Sequence, residues 1–195
     1  MSRTILVGDS GSGKTTLVER LETDTFNASA LATIGVDYRV FQDLSGKPVK
    51  CWDTAGAERF RAVMSLYYRN ADFCILVFDA SRKLGMKSVA TWAREVRAHA
   101  PTARIFLVGN KIDWGQSACD TEEAIALAQE LGFVGVAFLS AKHMKRAEIL
   151  PLIQPLFNVP KDDDDWQQDD LDRPLLGGIE LSSPEPFQPS RCCFF

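Results

Sequence analysis

Gly8-Asp9-Ser10-Gly11-Ser12-Gly13-Lys14-Thr15 fills every position of the pattern G-x-x-x-x-G-K-[ST]. An apolar, strand-like run, Thr4–Val7, leads into it, and a helix-like stretch, Lys14–Glu22, leads out. The glycines let the backbone curl so that successive N–H groups point inward as an anion nest. The helix N-terminus adds its dipole, and Lys14 brings a positive charge to the β- and γ-phosphates of a nucleotide. The Thr15 hydroxyl is placed to ligate Mg2+, and Thr16 completes the phosphate-binding run. Strand, phosphate loop and helix in this order predict an α/β protein of the P-loop NTPase kind.

Outward from this loop, strand-like and helix-like stretches alternate to about residue 158. Candidate strands follow at Val36–Phe41, Pro48–Trp52, Phe73–Phe78, Ile105–Val108 and Val136–Leu139. Candidate helices are a short one near Phe60–Tyr68, then Val89–His99 and Glu122–Leu131. Leu44-Ser45-Gly46-Lys47 is a hairpin signal, so the second and third strands should be antiparallel. The remaining βα alternation predicts a six-stranded, mostly parallel sheet with helices on both faces. Pro151 and Pro155 should leave the last helix short or kinked.

Length and charge narrow the function classes. With 195 residues, the chain suffices for one domain with a proper core. The formal net charge is −4, of which residues 161–195 carry −6 and the rest +2. A near-neutral body gives no clustered basic face for nucleic acid. The five cysteines form no zinc spacing or disulfide framework and suit a reducing, cytosolic setting. Residues 1–158 are therefore expected to form a nucleotide-binding domain. Residues 159–195, with their Asp run, Gly177-Gly178 and repeated Pro, are expected to be a disordered acidic tail.

Further motifs fall at strand ends. Asp53-Thr54-Ala55-Gly56 follows the third strand, where Asp53 can hold a magnesium-bound water and Gly56 lets a backbone N–H approach the γ-phosphate. Thr33, in the loop before the second strand, is a candidate for a second magnesium hydroxyl. Asn110-Lys111-Ile112-Asp113 and Ser140-Ala141-Lys142 each follow their own strand, on the carboxyl edge where open α/β sheets bind ligands. Asp113 offers two acceptor oxygens to the paired N–H donors of guanine, and adenine presents no such pair. The Ala141 N–H can donate to guanine O6, and the stem of Lys111 can lie over the base. Singly, each tetrapeptide also suits a helix-capping loop. Together they point to a guanine nucleotide and disfavour a generic ATPase or nucleotide kinase.

With these residues in order, the sequence resembles a Ras-superfamily small GTPase and, within it, the Rab family. Thr33-Ile34-Gly35-Val36-Asp37-Tyr38, Trp52-Asp53-Thr54-Ala55-Gly56, Glu58-Arg59-Phe60-Arg61 and Tyr67-Tyr68-Arg69 resemble Rab signatures, over roughly residues 3–157. The resemblance implies GTP/GDP and Mg2+ as ligands and a switch that regulates vesicle traffic. It implies that Phe26 packs on the guanine edge. It also implies that Tyr38, Trp52 and Tyr67 form the triad through which effectors read the switch, although ordinary core packing would place such aromatics too. The partners implied are an exchange factor, a GTPase-activating protein, a GDP-dissociation inhibitor, an escort protein and effectors, around a monomer. Lys14, Thr33 and Gly56 carry over as the groups around the γ-phosphate.

Two departures stand out. The segment from Thr33 to Asp53 is a few residues shorter than in the family, which implies a stubbier hairpin. Ala57 occupies the place where the family has a glutamine that orients the attacking water. Alanine cannot make that hydrogen bond, so slow intrinsic hydrolysis is expected. The alternative is a nearly constitutive GTP-bound scaffold. At the other end, Arg191-Cys192-Cys193-Phe194-Phe195 resembles a prenylation ending, with Phe195 favouring geranylgeranyl. Lipid on Cys192 and Cys193 would hold the protein on the cytoplasmic face of an endomembrane, with a cytosolic pool.

Overall fold

Phe73–Asp79 is buried along its whole length, and this run becomes the middle of the sheet. The computed structural model describes residues 3–28, 32–56, 66–113, 120–158 and 193–194. Its first half runs β1 (Arg3–Val7), α1 (Lys14–Thr23), β2 (Val36–Gln42), β3 (Pro48–Thr54) and β4 (Phe73–Asp79). There follow α2 (Val89–His99), β5 (Arg104–Asn110), α3 (Thr121–Glu130) and β6 (Gly135–Leu139). The chain closes with α4 (Arg146–Ile153), α5 (Pro155–Asn158) and β7 (Cys193–Phe194).

The strand order is β2-β3-β1-β4-β5-β6-β7. From β3 to β6 neighbours are parallel, while β2 lies antiparallel to β3. The six expected strands and the single antiparallel hairpin are thus present. A seventh strand of two residues joins the outer edge of β6, with Gly135 opposite Phe194 and Val136 opposite Cys193. Apart from Cys193 and Phe194, the expected tail lies outside the described residues, as does most of the expected helix near Phe60–Tyr68.

Alternation along the strands divides the core in two. Ile5, Val7, Cys74, Leu76 and Phe78 face Trp92 and Val96 of α2 and Ala124 and Ala128 of α3. Leu6, Phe73, Ile75 and Val77 face Leu17, Val18 and Leu21 of α1 and Ile149, Ile153 and Leu156 of α4 and α5. Because both faces are covered, β4 reads as a continuous apolar run rather than an alternating one. The α2 boundaries match the expected Val89–His99. Asp120 caps α3 by accepting from the Glu122 and Glu123 N–H groups, which starts that helix one residue early. Pro151 lies inside the eight-residue α4, and the chain restarts at Pro155, the short and interrupted ending that the prolines demand.

Candidate nucleotide-binding site

The carboxyl ends of β1, β3, β4, β5 and β6 all open on one edge of the sheet, and every motif of the site leaves from there. Gly8 to Gly13 connect β1 to α1, with Gly13 at φ 92° as the residue before the first turn. A Cβ on Gly13 would also come within 2.3 Å of Asn110 Nδ2, so only glycine allows this approach. Gly56 is equally confined: a Cβ there would lie 2.5 Å from Lys14 Nζ and from Ser10 N. The loop after β3 therefore reaches the phosphate loop directly at Gly56.

Lys14 turns its ammonium back into the loop and donates to Gly8 O at 2.8 Å and Asp9 O at 2.9 Å. Burial pulls its pKa down to about 8, against the opposing pull of Asp53 and Asp9. A phosphate anion beside it would favour the charged form and offset the solvation that burial removes. Ser12 Oγ, in the same loop, is buried and has no hydrogen-bond partner among the described residues. Gly11 stands at φ 76° with open space around it, and Ser10 is exposed at the loop tip.

Thr15, Thr33 and Asp53 converge. Thr15 Oγ1 donates to Asp53 Oδ2 at 2.5 Å and lies 2.6 Å from Thr33 Oγ1. Burial lifts the Asp53 carboxyl above its ordinary range, although the Thr15 hydrogen bond and Lys14 pull the other way. Its second oxygen, Oδ1, is buried and has no hydrogen-bond partner among the described residues. Two hydroxyls and a carboxylate with an unused oxygen make an all-oxygen donor set that suits a hard divalent cation such as Mg2+.

The base-reading loops are tied to each other and to the phosphate loop through Asn110. Its Nδ2 donates to Ser12 O at 3.0 Å, and its Oδ1 accepts from Lys111 N at 2.9 Å and Ala141 N at 3.1 Å. The Ala141 N–H, expected to meet guanine O6, is thus directed at Asn110 here. Asp113 is fixed by Ser140 Oγ at 2.5 Å and lies 3.4 Å from His143 Nε2. Each carboxylate oxygen has two lone pairs, so acceptor capacity remains for a ligand. Lys142 is exposed, Thr16 half-buried, and Phe26 is 37% exposed in the loop after α1.

Sequence reasoning missed Arg20. This buried residue of α1 donates from Nε to Ala141 O at 3.1 Å and from Nη2 to Lys142 O at 3.0 Å. It braces the loop after β6 from below, and no motif marks it. Asp9 behaves differently from its neighbours in the loop. Its backbone carbonyl serves Lys14, while its carboxylate points away to Ser88 and Trp92 at α2.

Of the expected effector triad, Tyr38 and Trp52 meet edge to face with centroids 5.2 Å apart. Tyr67 is linked by its backbone carbonyl and not its ring: it accepts from Nη2 of Arg3, whose guanidinium lies 4.1 Å from the centre of the Trp52 ring. Tyr38 is 49% exposed and Tyr67 37%, with Ile34 fully open nearby at 84%. Such exposure of large apolar groups on one face is what an interaction surface needs. Ala57 and Cys192 lie outside the described residues.

A glycine-rich anion nest opening a helix at the carboxyl edge of a parallel sheet, with a hydroxyl–carboxylate cluster beside it, defines a P-loop nucleotide-binding protein. The Ras family model matches residues 3–151. The Ras-related protein SEC4 of Saccharomyces cerevisiae is 42% identical over 132 residues, which cover 66% of this chain and 61% of that protein. The Ras-related protein RABA5b of Arabidopsis thaliana is 42% identical over 162 residues, 79% of this chain and 74% of that one. The GTP-binding protein yptV2 of Volvox carteri is 36% identical over 201 residues, covering 97% and 92%. The chain belongs to the Ras family of small GTPases, in its Rab branch. Members of that class bind guanine nucleotide and hydrolyse GTP.

Proposed function

We propose that the protein is a GTP/GDP switch in vesicle traffic whose intrinsic hydrolysis is slow. The observation that carries the switch reading is the meeting of Thr33 with Thr15 and Asp53. Thr33 precedes the exposed strand β2, so a ligand that gathers these three groups also sets the position of the Tyr38–Trp52 surface. Thr15, Thr33 and Asp53 would hold Mg2+, which when bound neutralises charge on the β- and γ-phosphates. Lys14 holds the same phosphates by its ammonium, and the backbone N–H of Gly56 approaches the γ-phosphate. Asp113 and the Ala141 N–H select guanine.

The slow step follows from Ala57, which has no group to orient the attacking water. Binding groups are intact, so GTP should persist once loaded. Single-turnover hydrolysis of the wild type and of Ala57→Gln tests this. The glutamine variant is expected to be ~10-fold faster or more at nearly unchanged GTP affinity. Equal rates would remove the account of the defect.

Ala57 also favours a second reading, a nearly constitutive GTP-bound scaffold. Many activating proteins of Rab GTPases resemble one another in supplying an arginine and also a glutamine from outside, and such an activator would bypass Ala57. Strong acceleration of the wild type by such an activator supports the switch, and none supports the scaffold. On either reading, exchange factor, activator, dissociation inhibitor, escort protein and effectors are the partners. Geranylgeranyl groups on Cys192 and Cys193 would give attachment to the cytoplasmic face of an endomembrane. Among the described residues no helix is long and apolar enough to cross a membrane.

A further inference from the structure

Lys111 is held at three points. Its backbone takes the left-handed conformation, φ 69°, which lysine adopts uncommonly. Its N–H is bound by Asn110 Oδ1 at 2.9 Å. Its Nζ reaches back across the end of β4 to Asp79 Oδ2 at 2.8 Å. Between these ends the stem passes the phosphate loop, with Cε 3.9 Å from where a Gly13 Cβ would stand. The path from Asn110 to Asp79 therefore lays the aliphatic chain along the mouth of the site.

Asp79 is suited to the task by the sheet. It closes β4 opposite Asn110 on β5, and the next residue, Ala80, donates its N–H to Asn110 O at 2.9 Å. Its two oxygens divide the work. Oδ1 accepts from Ser81 N at 3.1 Å and from Ser81 Oγ at 2.5 Å, which fixes the carboxylate plane. Oδ2 is left for Lys111, with the exposed Arg82 Nε more distant at 3.5 Å. Asp79 itself is 8% exposed, so the pair is only partly screened by water. Burial pushes the carboxyl up, but Lys111 and Ser81 outweigh it and hold it below its ordinary range.

We propose that Asp79 is a positioning residue for the guanine base: by anchoring the Lys111 ammonium it holds the lysine stem in one conformation against the base face. This rests on the guanine nucleotide reading above and extends it to a residue outside the nucleotide motifs. A free lysine samples many rotamers and must lose that freedom when a base docks on it. Here the ordering is already done before the base arrives, so affinity is gained without a new contact to the ligand.

The test uses the full chain loaded with fluorescent GDP in Mg2+ buffer, with dissociation followed after adding excess unlabelled GDP. Asp79→Asn keeps Oδ1 for Ser81 and sets an amide NH2 donor against the Lys111 ammonium donor, with almost no change of volume. Dissociation is expected to be ~10-fold faster. In a Lys111→Met background, where the stem remains and the ammonium is gone, Asp79→Asn should change the rate less than ~2-fold. An equal acceleration in both backgrounds would mean that Asp79 only supports the fold, and overturns the proposal. So does an unchanged rate in the wild-type background. A wild-type chain that holds no fluorescent GDP overturns the guanine reading itself, and this proposal with it.

Discussion

The indole Nε1–H of Trp92 donates to Asp9 Oδ1 at 2.8 Å, while Ser88 Oγ donates to the other oxygen of the same carboxylate at 2.5 Å. Trp92 is buried to 1% exposure in the core beneath α2, so the phosphate loop is fastened from behind to the opposite helical layer. Trp92→Phe removes the donor and leaves a carboxylate without one of its two partners. The expected loss is about 2–3 kcal/mol, read from the urea midpoint at constant slope. Adding Asp9→Asn replaces the stranded charge with a neutral amide. The double variant should therefore lose less than the sum of the single losses, and strict additivity would rule this account out.

The hairpin tip supplies a pH prediction. Burial pushes the Asp43 carboxyl up, but Ser45 Oγ and the N–H groups of Lys47 and Ser45 donate to it and hold it below its ordinary value. A carboxyl depressed in the folded state stabilises the protein above its unfolded pKa, about 4. That contribution fades as pH falls through the folded value. Asp43→Asn should cost ~1 kcal/mol at pH 7, and the gap to wild type should close toward pH 3. Thermal melts of the two proteins across pH 3–7 measure it. Parallel curves would assign the effect to something other than this charge.

Arg20 should matter more than its position on a helix suggests. Arg20→Ala strips donors from Ala141 O, Lys142 O and Asp24 O, and loosens the loop that carries the Ala141 N–H. We expect a loss of about 2–4 kcal/mol in stability and ~10-fold faster GDP dissociation. Arg20→Lys should rescue little, because one ammonium cannot span carbonyls that a guanidinium fork reaches together. Full recovery with lysine would show that charge alone is what counts.

The anchor prediction is a fractionation. Changing both Cys192 and Cys193 to Ser should release the protein to the cytosol with GTP affinity intact. A single change should give partial release, since one lipid chain binds marginally and two bind firmly. A double variant that still sediments with membranes leaves the cysteines without this role.

The parts of the fold that announce themselves in sequence are those set by local pattern. The β4 run from Phe73, the Leu44–Lys47 turn and the Pro151 and Pro155 interruptions each encode their own structure within a few residues. The phosphate loop and the Asn110–Asp113 segment were legible for a related reason: backbone–ligand chemistry demands particular residues at fixed spacing. Arg20, Asp79 and the Asp9–Trp92 bond were not. Their partners lie 121, 32 and 83 positions away, and a single charged or aromatic residue carries no sign of such a partner. The β7 pairing was hidden likewise, because an open edge accepts almost any extended backbone.

The order of strands gives the molecule a left and a right flank. β2, with Tyr38, is one margin of the sheet, and β7, with Cys193, is the other. Six spacings of ~4.8 Å separate them, roughly 29 Å along the sheet. With β7 paired to β6, Cys193 and the strand that carries Tyr38 stand at opposite margins of one sheet. A molecule held to a membrane through Cys193 in that posture would lie on its side, its far margin turned to the solution like the outer rail of a berthed ship.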